Sequence, residues 1–316
     1  MGLVVWDAVQ AVLVIALLTF AGWFFCRVGW FDSKKTGDMI VRLVIEVTFP
    51  CMIVTNLWTY FTREILASAG AGLLMGWGSI FTAYLISWPL CSLLKIPKGR
   101  RGLFKSMFSL SNSMFVGLPV SKALFGDAGI PYALFYYIAT TTTLWTLAHY
   151  TIRRDGEGEG RISFKEVIQK LMSPPLLTFL ISISLILIGF TPPKIVLDVA
   201  GYLGVMTTPL SLFFSGIIIY KIGLKGLKME KGIPFVMLSR FILSPLIMLL
   251  IGTIIKADKL MLSVMVIQAS MPVMLQASIL GERYGADAAY ATNGFVWTSL
   301  LSFVFIPFYM VLFSLI

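Results

Sequence analysis

The sequence has few charged residues, three cysteines and one histidine among its 316 residues. Charged side chains make up 13% of the chain, compared with about 25% in soluble domains, so they cannot cover a water-exposed surface. The cysteines, Cys26, Cys51 and Cys91, lie apart in apolar runs, which excludes a disulfide framework and a cysteine–histidine zinc site. The sequence also lacks a glycine-rich phosphate-binding loop. No metal, nucleotide or other cofactor is therefore predicted.

Long apolar stretches dominate what is present. Hydrophobic residues make up 58% of the chain, and the mean hydropathy is +0.90. A helix that crosses a bilayer needs about 20 mostly apolar residues. Ten stretches meet this requirement: 3–27, 37–60, 65–94, 102–125, 129–152, 173–191, 195–220, 233–255, 259–281 and 286–315. The sequence therefore predicts an all-α polytopic membrane protein with ten transmembrane helices.

Lysine and arginine are concentrated in alternate connections between these spans. Nineteen of the 25 lie in or beside the connections that follow odd-numbered spans, five lie in or beside the others, and Arg240 lies inside span 8. Because positive residues stay on the cytoplasmic side, both termini are predicted to be extracytoplasmic in the plasma (inner) membrane. This distribution accounts for the net charge of +10 without a nucleic-acid partner. Arg240 is expected to extend its side chain toward the cytoplasmic interface.

The longest hydrophilic stretch, RRDGEGEGR at 153–161, lies near the midpoint of the chain. Its composition is typical of a flexible linker, so we divide the chain into a first five-helix repeat (1–155), a cytoplasmic linker (156–164) and a second repeat (165–316). The segment FKEVIQKLM that follows has one apolar face. It fits either a short interfacial helix or the cytoplasmic start of span 6.

Four prolines lie deep inside predicted spans: Pro50 in span 2, Pro119 in span 4, Pro209 in span 7 and Pro272 in span 9. Spans 2 and 4 of the first half thus correspond to spans 7 and 9, which are the second and fourth of the second half. An odd number of spans in each half gives the halves opposite orientations, which is the inverted repeat of many secondary transporters. Pro50 and Pro209 are predicted to kink their helices.

Spans 4 and 9 are predicted to be broken rather than kinked, because glycine or polar residues accompany their prolines. The predicted breaks lie at Gly117–Pro119 and Ser270–Pro272. Irregular backbone at membrane depth is tolerated where protein or a cavity covers it, so the two breaks are expected to cross. Their half-helix ends would offer backbone N–H donors to an anion.

The residues of these breaks resemble a known family. The pattern N-x-x-x-x-G-x-P (Asn112, Gly117 and Pro119) and the segment VIQASMPV (Val266 to Val273, with Gln268, Ala269 and Pro272) are similar to spans 4 and 9 of the auxin efflux carrier family. That family includes the plant PIN-FORMED exporters and bacterial malate and malonate permeases. The short central loop places this chain nearer the prokaryotic members.

The resemblance implies a fold in which broken helices 4 and 9 cross within a transport domain of spans 3–5 and 8–10. Spans 1–2 and 6–7 would form a scaffold that makes a homodimer, and transport would proceed by elevator-type alternating access. The implied substrates are small organic anions, such as auxin-like or dicarboxylic acids. Members carry different carboxylates, so the resemblance does not identify the substrate.

The candidate substrate-binding residues are Asn112, Gly117, Pro119, Gln268, Pro272, Gln276, Asn56 and Asn293. Asn112 is expected to hold a substrate carboxylate, to cap unwound backbone, or both, with helix packing as the alternative. Of the two glutamines that flank Pro272, the motif favours Gln268. The run Thr140–Thr143 is expected to pack, with its hydroxyls bonded to helix carbonyls.

Two charged residues are candidates for coupling. Glu46 lies four residues after Arg42, so it fits either a coupling carboxylate or one partner of a neutral ion pair within its helix. Lys122 could attract anions or could extend to the outer interface. The coupling ion, a proton or sodium, is not identified by the sequence.

Rival functions predict residues of other kinds. A cation/proton antiporter would need paired carboxylates in spans 4, 5, 9 or 10, and none is present. A membrane-embedded enzyme would need a nucleophile and base or a metal set. A sodium-coupled symporter of the bile-acid type stays open, because its sodium sites can use carbonyl, amide and hydroxyl oxygens. A membrane sensor or receptor is disfavoured, since no soluble domain is attached.

The charge distribution makes the topology testable. A green fluorescent protein fused to the C-terminus should stay dark, because it does not fold after export, whereas alkaline phosphatase fused there should be active. A fluorescent fusion that retains function would show that the C-terminus is cytoplasmic and that the predicted number of spans is wrong.

Overall fold

The computed structural model describes residues 2–61, 70–157, 174–223 and 227–314. Within these ranges the chain forms α-helices joined by π segments, 3-10 turns and short loops, with a single β-bridge in place of any strand. The α-helices are α1 (Gly2–Arg27), α2 (Ser33–Leu43), α3 (Phe49–Tyr60), α4 (Gly70–Leu93), α5 (Arg101–Ser109), α6 (Leu118–Phe125), α7 (Ile130–Thr143), α8 (His149–Glu157), α9 (Pro174–Leu187), α10 (Lys194–Val205), α11 (Thr207–Ile222), α12 (Ile233–Leu238), α13 (Ser244–Ile254), α14 (Lys259–Ala269), α15 (Gln276–Tyr284) and α16 (Ala288–Ser314). The π segments are Val44–Thr48, Ser113–Gly117, Leu144–Ala148 and Ser239–Leu243.

Four helical stretches of the described chain are long and apolar enough to cross a membrane: Ser33–Thr59, Gly70–Leu93, Lys194–Lys221 and Ile233–Ile254. They coincide with predicted spans 2, 3, 7 and 8. The prediction of an all-helical chain with membrane-spanning helices is therefore confirmed. The number ten stays a prediction.

Three of the π segments lie immediately before a proline near the start of the following helix. The prolines are Pro50 after Val44–Thr48, Pro119 after Ser113–Gly117 and Pro245 after Ser239–Leu243. A proline ring clashes with the carbonyl four residues earlier, and the wider π turn, with its i→i+5 bonds, moves that carbonyl away. The helix can therefore continue through Pro50. Pro209 differs, because it follows a turn at Met206 that separates α10 from α11.

The central linker begins later than predicted. Helix α8 continues to Glu157, so residues 153–157 are helical and not part of a flexible loop. Contacts with neighbouring helices explain this, because Arg153 lies over the ring of Tyr284 (5.2 Å) and the Asp155 carboxylate accepts the N–H of Gly102 (2.6 Å). The predicted amphipathic segment lies outside the described residues.

The helices pack in two groups. In the first helix group (α1–α3 and α9–α11), α1 packs on α11, and α3 packs on α9 and α10. In the second helix group (α4–α8 and α12–α16), α4 packs on α5, α7 and α13, and α15 packs on α8 and α16. The groups touch where α1 meets α6 and α16, and where α11 meets α15 and α16. This division corresponds to the one that the family resemblance implied.

Small residues allow α1 and α11 to approach with their backbones in contact. A Cβ atom on Gly216 would overlap the carbonyl oxygen of Thr19, and one on Gly22 would overlap that of Phe213. Close approach of this kind drives helix association in membranes, where lipid removes the hydrophobic driving force. The two glycines therefore hold the first helix group together.

Gly216→Ala should lower the thermal stability of the detergent-purified protein. The added methyl meets rigid backbone, and such overpacking costs roughly 1–3 kcal/mol. Gly201→Ala on α10 is the matched control, because nothing lies within 4 Å of its Cβ position, and alanine favours helix by about 1 kcal/mol. Equal melting temperatures for the two variants would contradict the assigned contact.

Candidate functional site

Two helices of the second helix group are interrupted, and their interruptions cross. Helix α5 ends at Ser109, and the helix resumes in the π segment Ser113–Gly117. Helix α14 ends at Ala269, and α15 begins at Gln276. An antiparallel bridge joins Ser111 to Val273, with the Asn112 N–H donating to the Pro272 carbonyl (2.8 Å). The two interruptions are therefore in direct backbone contact.

The break in predicted span 4 lies earlier than expected. Residues 110–112 are extended, whereas Gly117 closes a π segment and Pro119 lies in the first turn of α6. The Asn112 carbonyl accepts the N–H of Gly117 (3.1 Å), which closes the π turn. Backbone that is helical from Ser113 to Phe125 therefore continues through Pro119. The prediction of a break at Gly117–Pro119 was wrong; the break at Ser270–Pro272 is confirmed.

Arg240 is fully buried beside the crossing and does not extend to the interface as predicted. Its guanidinium donates to the carbonyls of Phe108 (3.3 Å) and Met271 (3.3 Å), and to that of Ala269. Phe108 and Ala269 lie at the C-terminal ends of α5 and α14, where the helix dipoles are negative. No carboxylate of the described chain lies within ion-pair distance of Arg240. Backbone dipoles therefore balance its charge.

A small cavity of about 20 Å³ lies at the crossing, where both interrupted helices resume. Its lining residues come from both helix groups and include the first residue of each resumed helix. They are Phe49, Met52, Ser111, Asn112, Ser113, Tyr137, Thr140, Thr141, Leu144, Met274 and Gln276. Ser113 and Gln276 are the first residues of the resumed helices, so the positive ends of two helix dipoles meet here. The cavity has room for about one water-sized group, so a larger ligand requires the groups to separate.

One buried polar atom at this cavity, the Thr140 hydroxyl, has no hydrogen-bond partner within the described residues. The Tyr137 hydroxyl interacts with the Asn56 and Thr141 side chains, and Asn56 is not among the residues that line the cavity. Unsatisfied buried polar groups are rare in folded proteins, and each calls for a reason such as a ligand or water. The Thr140 hydroxyl is therefore a candidate contact for a ligand.

The structure brings Asn112 and Gln276 together at the cavity and assigns Gln268 and Gly117 to the crossing itself. The Gln268 amide donates to the Ser121 hydroxyl (3.0 Å). A Cβ atom on Gly117 would overlap the Gln268 side chain, so the glycine permits the close approach of the two helices. Gln268 therefore faces the crossing, as the motif indicates, and Gln276 lines the cavity. A substrate-binding role for either glutamine stays a prediction.

Asn293 lies in an ionic cluster away from the residues that line the cavity. Its amide donates to Glu230 (3.0 Å), and Arg100 bonds to Glu230 and to Asp287 (2.7 Å). The cluster joins three chain connections that are predicted to be cytoplasmic. Asn293 therefore belongs to this cluster by its contacts.

Glu46 pairs with Arg283 (2.8 Å) rather than with Arg42, the partner that the sequence spacing suggests. The π segment Val44–Thr48 explains the difference, because its wider turn removes the α-helical i,i+4 alignment. The pair connects α15 of the second helix group to the first. Lys122 is exposed on α6 and is not among the residues that line the cavity.

Two kinds of candidate site residue are not evident from the sequence. Thr142 and Thr143 bond to helix carbonyls as predicted (2.8 and 2.7 Å), but Thr140 and Thr141 line the cavity. The sequence does not show which threonines face the cavity, because this depends on how the helix is rotated about its axis. Arg240 carried a usable signal, since a charge in the middle of a span is rare and functional by default.

Broken helices that cross inside a bundle of apolar helices are the arrangement of membrane transporters. The chain belongs to the membrane transport protein family, the auxin efflux carrier family indicated by its motifs, and it matches the family profile over residues 7–310. It is 24% identical over 304 residues to an uncharacterized transporter of Methanocaldococcus jannaschii, covering 94% of this chain and 96% of that protein. It is 25% identical over 312 residues to an uncharacterized transporter of Methanothermobacter thermautotrophicus, covering 96% and 97%. The predicted family is therefore confirmed.

Arg240→Met should destabilise the protein by about 2 kcal/mol or more, because it leaves the buried carbonyls of Met271 and Ala269 unsatisfied at about 1–3 kcal/mol each. The Phe108 carbonyl keeps the Ser239 hydroxyl as a donor (2.7 Å). Thermal unfolding in detergent measures the loss. Arg42→Met removes an equal charge from an exposed position and should leave the melting temperature nearly unchanged. Parent-like stability of Arg240→Met would mean that the carbonyls find other donors.

Proposed function

We propose that this protein is a secondary active or facilitative transporter of small organic anions. The observation that carries the proposal is the meeting of two positive helix ends and the Asn112 and Gln276 side chains at one polar cavity. Helix N-termini bind carboxylates and phosphates through backbone N–H groups. Screening purified protein for thermal stabilisation by mono- and dicarboxylates, indoles and sodium tests the proposal, and stabilisation by sodium alone would favour the sodium-coupled symporter.

The lining of the cavity supports an anion rather than a cation as the substrate. No aspartate or glutamate is among the described residues that line it, and the polar side chains are amides and hydroxyls. Asparagine and glutamine amides each donate two hydrogen bonds. A bound carboxylate would also satisfy the Thr140 hydroxyl, which otherwise lacks a partner within the described chain.

The position of the cavity supports elevator-type movement. Phe49 and Met52 line it from α3 of the first helix group, whereas the other lining residues belong to the second helix group. If the second group slides along the first, it carries the crossing and the substrate with it. Two ion pairs oppose this movement, Glu46–Arg283 (2.8 Å) and Lys221–Glu282 (2.8 Å). Partly exposed pairs contribute only about 0–1 kcal/mol each, so they can break during a cycle.

The same proposal includes ten spans in two inverted repeats within the plasma membrane. Prolines and helix breaks occur in the same order in the two halves, which supports the inverted repeat. The second span of each half contains a proline, and the fourth span of each half is broken. The proposed homodimer would form through the first helix group. Ile195, Val199 and Tyr202 of α10 are apolar or aromatic and are 71%, 52% and 78% exposed, so they face either lipid or a second subunit.

Asn112→Ala should weaken substrate binding roughly three- to a hundredfold, because it removes one hydrogen bond to a neutral or charged oxygen. Asn112→Asp should weaken substrate binding further, since it places a negative charge next to a bound anion. Calorimetry on monodisperse protein, with a ligand from the thermal screen, gives the affinity. Asn293→Ala is the matched control and should bind like the parent. If both Asn112 variants also bind like the parent, Asn112 serves only packing.

Glu46→Gln should change the pH dependence of uptake into proteoliposomes. The uncharged variant has no ion pair with Arg283 and lacks one connection between the helix groups, so a pH response that depends on this pair should be lost. Glu282→Gln, which breaks the neighbouring ion pair with Lys221, should retain the pH response of the parent. An unchanged pH profile in Glu46→Gln would exclude this carboxylate from the coupling step.

A further inference from the structure

A second cavity, of about 500 Å³, lies in the second helix group at the end where α4 finishes and α5 begins. Side chains from the end of α4, from the connection that precedes α5, from the first turns of α5 and from α8 line it. The lining residues that carry charge or an aromatic ring include Trp88, Lys98, Arg101, Lys105, Arg154 and Asp155. Its volume lies within the range of about 300–1,000 Å³ that is typical of small-molecule sites.

The charge of this cavity is strongly positive. Four of its lining residues are cationic, and Asp155 is its one carboxylate among the described lining residues. That carboxylate already accepts the N–H groups of Gly102 (2.6 Å) and Leu103 (3.2 Å) at the start of α5. Arg101 donates from Nε to the Ile96 carbonyl (3.0 Å), which fixes its guanidinium beside the cavity. The geometry therefore suits an anionic group rather than a cation.

The surroundings of the cavity indicate the kind of anion. Trp88 and Leu85, one turn apart on α4, are 54% and 71% exposed on the apolar surface of the bundle. The Lys105 ammonium lies 4.1 Å from the centre of the Trp88 ring, so the positive cluster is continuous with this apolar surface. Lysine, arginine and tryptophan together are typical of the interface between lipid headgroups and acyl chains.

We propose that this cavity binds the phosphate of an anionic membrane lipid, with the headgroup among Lys98, Arg101, Lys105 and Arg154 and an acyl chain along Leu85 and Trp88. The site is separate from the cavity at the helix crossing and does not depend on the transported substrate. Because it joins α4, α5 and α8, a bound lipid would tie together three helices of the second group.

The Asp155 carboxyl gives this site a pH dependence. Burial raises the pKa of Asp155 to about 7, although two backbone N–H groups, Lys105 and Arg101 act to lower it. The groups that face it are Lys105 and Arg101 on α5, Tyr84 and Cys91 on α4, and Thr151 and Arg154 on its own helix. Above pH 7 the cavity holds four cations and one anion, and below pH 7 the anion is neutralised. Lipid binding should therefore strengthen as the pH falls from 8 to 6.

The test uses the full-length protein in an uncharged detergent, titrated with short-chain phosphatidylglycerol and followed by thermal unfolding and native mass spectrometry. The phosphodiester of this lipid keeps one negative charge from pH 6 to 8, so any pH effect belongs to the protein. Phosphatidylglycerol should bind at least about tenfold more tightly than zwitterionic phosphatidylcholine, since each nearby lysine or arginine adds appreciable attraction to an anionic lipid.

The double variant Arg101→Gln and Lys105→Gln should weaken phosphatidylglycerol binding roughly ten- to thirtyfold. Lys98→Gln with Arg154→Gln provides a second variant in case the first does not fold. The control Lys34→Gln with Lys35→Gln removes the same charge from α2, away from the cavity, and should bind like the parent. Asp155→Asn, which keeps an acceptor oxygen for α5, should remove the pH dependence.

Two results would overturn the proposal. Inorganic phosphate or glycerol 3-phosphate that displaces phosphatidylglycerol at equal concentration would show a site for soluble phosphates and not for lipid. Phosphatidylglycerol binding that is equal in the parent and in a folded variant of the cavity would show that the lipid binds elsewhere.

Discussion

The bonding of Arg240 to the ends of α5 and α14 is the interaction on which the rest of the site depends. A broken helix within a membrane leaves backbone carbonyls that water cannot reach, and two broken helices double that cost. One guanidinium, with donors pointing in several directions in one plane, meets carbonyls of both ends. The breaks can cross because the same side chain satisfies both of them.

This arrangement separates charge across the crossing. The negative helix ends face the buried arginine, so the positive ends of the resumed helices are left to face the cavity with Asn112 and Gln276. An anion that enters the cavity meets backbone donors without meeting the negative ends. This arrangement suits the proposed anion, because the described residues that line the cavity offer hydrogen-bond donors without a cationic side chain.

The sequence predicted the family, the helical class and the two helices that break, because a proline accompanied by glycine or amides inside an apolar run is typical of an interrupted helix. It placed the break of span 4 at Gly117–Pro119, since proline is the strongest known helix breaker. A π turn accommodates Pro119, and neighbouring residues do not reveal such a turn. The roles of Thr140, Thr141 and Arg240 depend on the rotation of their helices and on contacts with residues far along the chain. Local patterns carry no information about either.

The π segment at Ser113–Gly117 also limits how this part of the gene can change. A π turn is an α-helix that has gained one residue, and each residue turns a helix by about 100°. Removing one residue here would restore an ordinary helix and would rotate the side chains before it relative to Pro119 by that angle, carrying Asn112 away from the cavity. A substitution in this segment changes one side chain at a time, whereas deletion of a single codon would change the position of Asn112 relative to Pro119. Relatives should therefore keep the number of residues between Asn112 and Pro119 even where the residues themselves differ.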